Sequence, residues 1–276
     1  MRKKFARIRC VGNSRPKRGL SRVWALCAKI EVTEASILDA EGYDVTLPVS
    51  AEAECLPRVF GRALETVAEL GARVILPIEF GGAALEEVSR FRLALACGHR
   101  VWPFLTDKLA LGMLARGGVA LKYAEFLIIA GGDGLALQCV NKLRGLVNFM
   151  TVAVDEQYAW QYRQQAAEIF DENGLTIFIT GKSYDSVKNA DIVINASGDG
   201  RYGRYCGRGA AYIDLRAPDA VRSVNVQGEP VKPEEFDAVM MIVSRPYRLY
   251  ASRGYDAGLC ADVERKLEYY HPEVIL

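Results

Sequence analysis

The stretch Glu125-Phe-Leu-Ile-Ile-Ala-Gly-Gly-Asp-Gly-Leu-Ala-Leu-Gln138 constrains the fold of this chain more than any other. An apolar run, a glycine-rich turn and a helical pattern follow one another without interruption. Met150-Thr-Val-Ala-Val154 then reads as a second strand, and Asp155 ends it. Strand, glycine turn, helix, strand and terminal acid form a βαβ unit of the dinucleotide-binding kind. Gly131, Gly132 and Gly134 would let backbone approach a pyrophosphate, which rests on the N-terminus of a helix opening at Leu135. Asp155 lies 23 positions after Gly132, the spacing of an acid that binds ribose hydroxyls. An acid there favours NAD over NADP, because it repels a 2′-phosphate. Asp133 stands beside the expected phosphates, where a carboxylate opposes an anionic ligand unless it is protonated or turned outward. The plainer alternative is that these glycines only make a tight strand-to-helix turn.

A second segment points the same way. Val187-Lys-Asn-Ala-Asp-Ile-Val-Ile-Asn-Ala-Ser-Gly198 is an amphipathic turn and a buried strand that empties into small residues. Doubly wound sheets bind ligands outside the carboxyl ends of their strands, near the point where strand order reverses. Asn195, Ala196, Ser197 and Gly198 are expected to line that crevice, against the alternative of an ordinary polar loop.

Around these segments the chain alternates helix and strand. Leu56, Val59, Phe60, Ala63, Leu64, Val67 and Leu70 recur at helical spacing, and Arg73 to Ile78 reads as a buried strand. Expected next are a helix over 83–96, a strand over 100–105 and a helix opening at Thr106-Asp107. After residue 119 come helices over 135–147, 159–170 and 184–188, with strands over 175–180, 191–195 and 211–215. Residues 237–243 read as a strand and 255–270 as a terminal helix. The pattern predicts an α/β fold: a Rossmann-type doubly wound parallel sheet preceded by a smaller α/β domain. We divide it into a substrate-type domain over 1–119, a dinucleotide-binding domain over 120–245, and a C-terminal helix in 246–276 that packs back on the first domain.

Charge and composition exclude several classes. Lys and Arg number 35 against 34 acids, so bulk electrostatics hold the chain to neither nucleic acid nor membrane. Nine basic residues fall in the first 22, with no acid before Glu31. That run suits a solvated strand edge and loop, and aromatics for stacking bases are sparse there. The seven cysteines are scattered, without a C-x-x-C pair, and there are two histidines. Reduced thiols and a cytoplasmic location follow, with no metal site expected. No apolar run is long enough to span a membrane.

Leu127-Ile-Ile-Ala-Gly-Gly-Asp-Gly134 and Ala190-Asp-Ile-Val-Ile-Asn-Ala-Ser-Gly198 resemble the cofactor domain of the shikimate/quinate dehydrogenase family, which pairs a GAGG-type loop with an ADIVINATP-type strand. The first loop also resembles that of siroheme-synthase-type dehydrogenases. The resemblance covers residues 123–216. In the amino-terminal half, Gly19-Leu-Ser21 resembles the family's serine motif for a substrate carboxylate, and Thr106-Asp107 resembles its N-T-D motif. The family's lysine ends a V-T-x-P-x-K pattern. The two nearest segments here, Val45 to Ser50 and Val74 to Glu79, end in serine and glutamate.

The resemblance implies an NAD(P)-dependent oxidoreductase acting on a small anionic substrate. Ser21 and Thr106 would then bind substrate, and Asp107 and Glu79, each after a predicted strand, are the candidate acid–base carboxylates. The competing reading is a non-catalytic dinucleotide-binding sensor or scaffold, and a small-molecule binding module without nucleotide is a third. A homodimer is compatible with each.

Overall fold

The computed structural model describes residues 3–11, 29–50, 53–77, 88, 90–181, 184–216, 218 and 221–276. In chain order it contains β1 (Lys4–Cys10), β2 (Glu31–Ile37), β3 (Ala40–Leu47), α1 (Leu56–Glu69), β4 (Ala72–Pro77) and β5 (Ala94–Leu95). A 3-10 turn (Trp102–Leu105) leads into α2 (Thr106–Gly117), followed by β6 (Phe126–Ile129), α3 (Leu135–Leu143), β7 (Phe149–Ala153), α4 (Glu156–Asn173) and β8 (Thr176–Thr180). Then come α5 (Tyr184–Asn189), β9 (Ile192–Asn195), β10 (Ala211–Asp214), β11 (Ser223–Val226) and β12 (Glu229–Val231). The chain ends with α6 (Pro233–Val243), α7 (Arg245–Arg253), α8 (Ala257–Tyr270) and β13 (Glu273–Ile275).

Two compact units result: Met1–Gly98 with Glu234–Arg248, and His99–Pro233 with Leu249–Leu276. The first holds a five-stranded sheet in the order β2-β3-β1-β4-β5, parallel except for the β2–β3 hairpin. α1 covers it with the stripe Leu56, Val59, Phe60, Ala63, Leu64 and Val67, the periodicity seen in the sequence. Arg7 on β1 pairs through Nε and Nη2 with Asp44, at 2.7 and 2.8 Å, and through Nη1 with Glu235 of α6 at 2.6 Å. Fully buried Asp237, also on α6, accepts hydrogen bonds from the Cys97 amide at 2.8 Å and the Tyr247 hydroxyl at 2.6 Å.

The second unit is built on a parallel sheet in the order β10-β9-β6-β7-β8. Numbered within the sheet, that order is 5-4-1-2-3, the doubly wound arrangement, with its reversal between β6 and β9. β6 and β9 are buried along their whole lengths, as central parallel strands are. The expected Rossmann-type parallel sheet behind a smaller α/β unit is therefore what the chain forms. A small antiparallel sheet, β12-β11-β13, completes this unit.

Several segments depart from the sequence reading. Residues 100–105, expected as a strand, contain the 3-10 turn instead, because Pro103 in its first turn has no amide to give to a ladder. Residues 237–243, also expected as a strand, lie inside α6. Pro233 opens that helix, and Glu234 and Glu235 favour its N-terminus. Of the helix expected over 83–96, residues 83–87 and 89 lie outside the described residues, and Ala94–Leu95 forms β5. Residues 99–119 belong to the second unit, where the sequence division put them in the first. Within that unit the hydroxyl of buried Thr106 lies 3.5 Å from the Cys139 thiol of α3. The terminal helix α8 also groups with the second unit. Glu264 on it accepts a 2.7 Å bond from buried Gln138 of α3.

Candidate functional site

The sheet order of the second unit carries two loops to one edge. β6 ends at Ile129, opposite Asn195 of β9 in the ladder, so the loops that follow leave the sheet side by side. A side-chain carbon placed on Gly131 would lie 3.3 Å from the Ala196 carbonyl oxygen. A side chain on Gly131 would therefore push the two loops apart by a few tenths of an ångström. Asp155 follows β7, the next strand, is exposed, and opens α4. Gly131, Gly132, Gly134, Leu135, Asp155 and the 195–198 loop thus lie at the carboxyl ends of adjacent strands.

Within that edge their roles differ. Asn195 is fully buried and spends its side chain on the protein. Its amide reaches the Tyr212 hydroxyl at 2.8 Å, the Asp199 carbonyl at 3.0 Å and Asp214 Oδ2 at 3.2 Å. Its carbonyl oxygen accepts from the Ser197 hydroxyl at 2.7 Å and the Ser197 amide at 3.0 Å. Asn195 therefore shapes the loop. Ala196 is buried too, which leaves the exposed backbone of Gly198 as the part of the loop open to a ligand.

The glycine turn is dressed by the chain itself. Carbons built on Gly132 and Gly134 would come within 2.8 Å of the Tyr158 ring and 2.7 Å of Tyr255 Cβ. Asp133 turns one oxygen onto the Leu135 amide at 3.2 Å, the first N–H of α3. Its other oxygen lies 3.6 Å from the Arg216 guanidinium, which also packs against Gly198. The like-charge objection raised by Asp133 is thereby offset by a cation at the end of β10. Asp155 and the backbone of Gly131 and Gly198 are the groups of this edge that would hold a dinucleotide, while Tyr158, Tyr255 and Asp133 occupy the turn itself.

Arg216, Tyr158 and Tyr255 were not singled out in the sequence. For Arg216 the signal was present: it lies just past a predicted strand, where the rule that selected residues 195–198 applies equally.

The remaining candidates are Thr106, Asp107, Ser21 and Glu79. Thr106 is fully buried and donates to the carbonyls of Trp102 and Pro103, both at 3.1 Å. Its hydroxyl caps a turn inside the protein. Asp107 is partly buried in the first turn of α2, and its Oδ1 is enclosed without a hydrogen-bond partner among the described residues. Lys108, next to Asp107, donates to the Pro272 carbonyl. Ser21 and Glu79 lie outside the described residues. Among the described residues no group of His, Cys, Asp and Glu is arranged to hold a metal, and no helix is long and apolar enough to cross a membrane.

No family model and no curated protein matches the chain. Among solved structures it is similar to L-tryptophan dehydrogenase from Nostoc punctiforme, 12% identical over 97% of this chain and 80% of that one, with a TM-score of 0.35. The hetero-hexameric glutamate dehydrogenase of Thermus thermophilus matches at 11% identity over 97% of this chain and 74% of that one, TM-score 0.34. Ornithine carbamoyltransferase from Gloeobacter violaceus matches at 13% identity over 91% and 86%, TM-score 0.33. Two dehydrogenases and a carbamoyltransferase stand at the same level of likeness. No function follows from it, and the fold assignment rests on the strand order itself.

Proposed function

We propose that the second unit binds a nicotinamide dinucleotide along the carboxyl ends of β6, β7 and β9, and that the chain uses it as an oxidoreductase on a small anionic substrate. One observation carries this reading: the 5-4-1-2-3 order gathers the glycine turn, Asp155 and the 196–198 loop at one edge of one sheet. Asp155 supports NAD ahead of NADP. The dinucleotide would supply the hydride chemistry, and the protein's part is to hold and orient it. Asp107 is our acid–base candidate, supported by its enclosed oxygen without a partner among the described residues, a state that buried polar atoms seldom keep without a role. The resemblance to shikimate/quinate dehydrogenases supports Ser21 as a substrate contact, and Glu79 is proposed as a second carboxylate because it follows a predicted strand. With them go a cytoplasmic setting and a homodimer.

A second reading, binding without turnover, is favoured by one feature of the turn. Tyr158 and Tyr255 cover its glycines, and Asp133 takes the first amide of α3.

Calorimetric titration with NAD⁺, NADH, NADP⁺ and NADPH tests the proposal. We expect saturable binding of the NAD pair, weakened about tenfold or more by Asp155→Ala, a loss of about 1.4 kcal/mol. Absence of binding by all four removes the dinucleotide reading. Asp107→Asn should abolish turnover and leave cofactor affinity intact. Tight binding with no substrate-dependent change in nicotinamide absorbance would favour the second reading.

A further inference from the structure

Every exposed Phe and Trp among the described residues lies in one stretch of the second unit: Phe149 on β7, Trp160 and Phe170 on α4, and Phe178 on β8. Large apolar side chains gathered at a surface mark a contact. Phe149 stands opposite Thr176 in the ladder, so Phe149, Thr176 and Phe178 share one face of the sheet. The two phenyl rings meet edge-on, their centres 5.1 Å apart. Val187 of α5 joins a buried cluster with Ala153, at the other end of β7 on the same face. With only six residues, α5 leaves the end bearing Phe149 bare.

β8 is the edge of its sheet, and no strand of the described residues lies beyond it. Edge strands pair with other chains unless charge, proline or a bulge blunts them. The other edge strands longer than two residues each carry an acid: Glu31 and Glu34 on β2, Asp214 on β10, Glu229 on β12 and Glu273 on β13. Thr176-Ile-Phe-Ile-Thr180 has neither charge nor proline, and it pairs with β7 without a register shift. The Thr176 amide donates to the Asn148 carbonyl at 3.2 Å, and the Val154 amide donates to the Thr180 carbonyl at 2.9 Å. Residues 176, 178 and 180 therefore turn their peptide groups toward β7, while Ile177 and Ile179 turn theirs outward.

We propose that a second copy of this chain pairs with β8, antiparallel about a two-fold axis at Phe178, joining two parallel sheets into one. The outward peptide groups select this register. Ile177 of each copy meets Ile179 of the other, and each such pair exchanges two hydrogen bonds. Phe178 then stands opposite its own copy in a non-hydrogen-bonded pair, where side chains approach most closely. Aromatic pairs across strands stabilise such ladders, and Phe149 widens the cluster on both sides. A two-fold contact satisfies both edges at once, so assembly stops at two. This surface gives the homodimer its place of contact and does not depend on the dinucleotide proposed above.

Sedimentation velocity of the full chain tests the association, at concentrations from about 1 to 200 μM because a contact of this size holds weakly. We expect a species of twice the 30.5 kDa chain mass. Phe178→Lys sets two ammonium groups face to face and should weaken the dimer at least about tenfold. Its thermal melt should stay, since Phe178 is 57% exposed. Cysteine variants test the register. At a non-hydrogen-bonded pair the Cα atoms lie about 4.5 Å apart, within reach of a disulfide. Copper phenanthroline should therefore link Phe178→Cys into a covalent dimer, with the unsubstituted chain as control for its seven cysteines. Thr176→Cys should not link, because the two copies of residue 176 lie about 14 Å apart along the strand. The proposal is overturned if the chain stays monomeric throughout, if Phe178→Lys leaves dissociation unchanged, or if Thr176→Cys links as readily as Phe178→Cys. Should Phe178→Lys fail to fold, the cysteine pair decides. NAD⁺ titrated in parallel separates the two readings: a dimer through β8 without NAD⁺ binding removes the cofactor and leaves this surface standing.

Discussion

Asn195 carries more of the loop after β9 than any other side chain. Replacing it with alanine takes one partner from the Tyr212 hydroxyl and leaves the Ser197 amide without its acceptor. We expect Asn195→Ala to cost about 1–3 kcal/mol, the penalty of buried polar groups left unpaired. Ser197→Ala removes one hydroxyl from a partly buried position and should cost about 1 kcal/mol. Urea unfolding of both variants measures the ranking, and equal losses would contradict it. The sequence marked Asn195 as a position but not its role. A buried strand end makes residues 195–198 legible, whereas the partners of Asn195, Tyr212 and Asp214, sit on a neighbouring strand whose pairing no local pattern announces. Asp155 and the glycines were legible because their meaning is local: a strand, a turn and a fixed spacing.

At the scale of elements, the junction of β6 and α3 is held by shape as much as by charge. Gly134 has φ of 74°, and the space its side chain would need is taken by Tyr255, at the approach to α8. Gly174, at the end of α4, has the same φ with open space around it. Gly174→Ala should therefore cost only the backbone strain of a left-handed residue, about 1 kcal/mol. Gly134→Ala should cost that strain and about 1–3 kcal/mol more from crowding. Thermal unfolding of the pair reads the difference directly. Elements with a strong period, α1 and the βαβ unit, were readable from sequence alone. The β2–β3 hairpin was not, because β2 is mostly solvent-facing and its Glu-Val-Thr-Glu-Ala-Ser-Ile run carries little apolar alternation. α6 reads as a strand in the sequence because Ala238 to Met241 are all buried, and a short buried run looks alike in either state.

Over the whole molecule, buried weak acids tie stability to alkaline pH. Burial pushes the Cys139 thiol up to about 12 and the Cys260 thiol up to about 11, from 9.0 in the open chain. The Tyr212 phenol rises to about 12 from 10.0, again chiefly by burial. The folded state keeps these protons where the unfolded chain gives them up, so ionisation pulls toward unfolding. Their contribution is complete below pH 9 and drains away as pH rises toward 12. We expect the melting temperature to fall across that window, and Cys139→Ser to flatten part of the fall. A melting temperature constant from pH 9 to pH 11 would contradict the assignment.

The path of the chain between its two units sets an order of assembly. Residues 234–248 belong with the first unit, yet the ribosome makes them only after 99–233, at the pace of synthesis on the order of ten seconds later. Until they emerge, Arg7 lacks Glu235, and the backbone at Cys97 lacks the carboxylate of Asp237. The amino-terminal part of this protein is thus born first and finished late, and a fragment ending at Gly98 should stay open to proteases that the full chain resists.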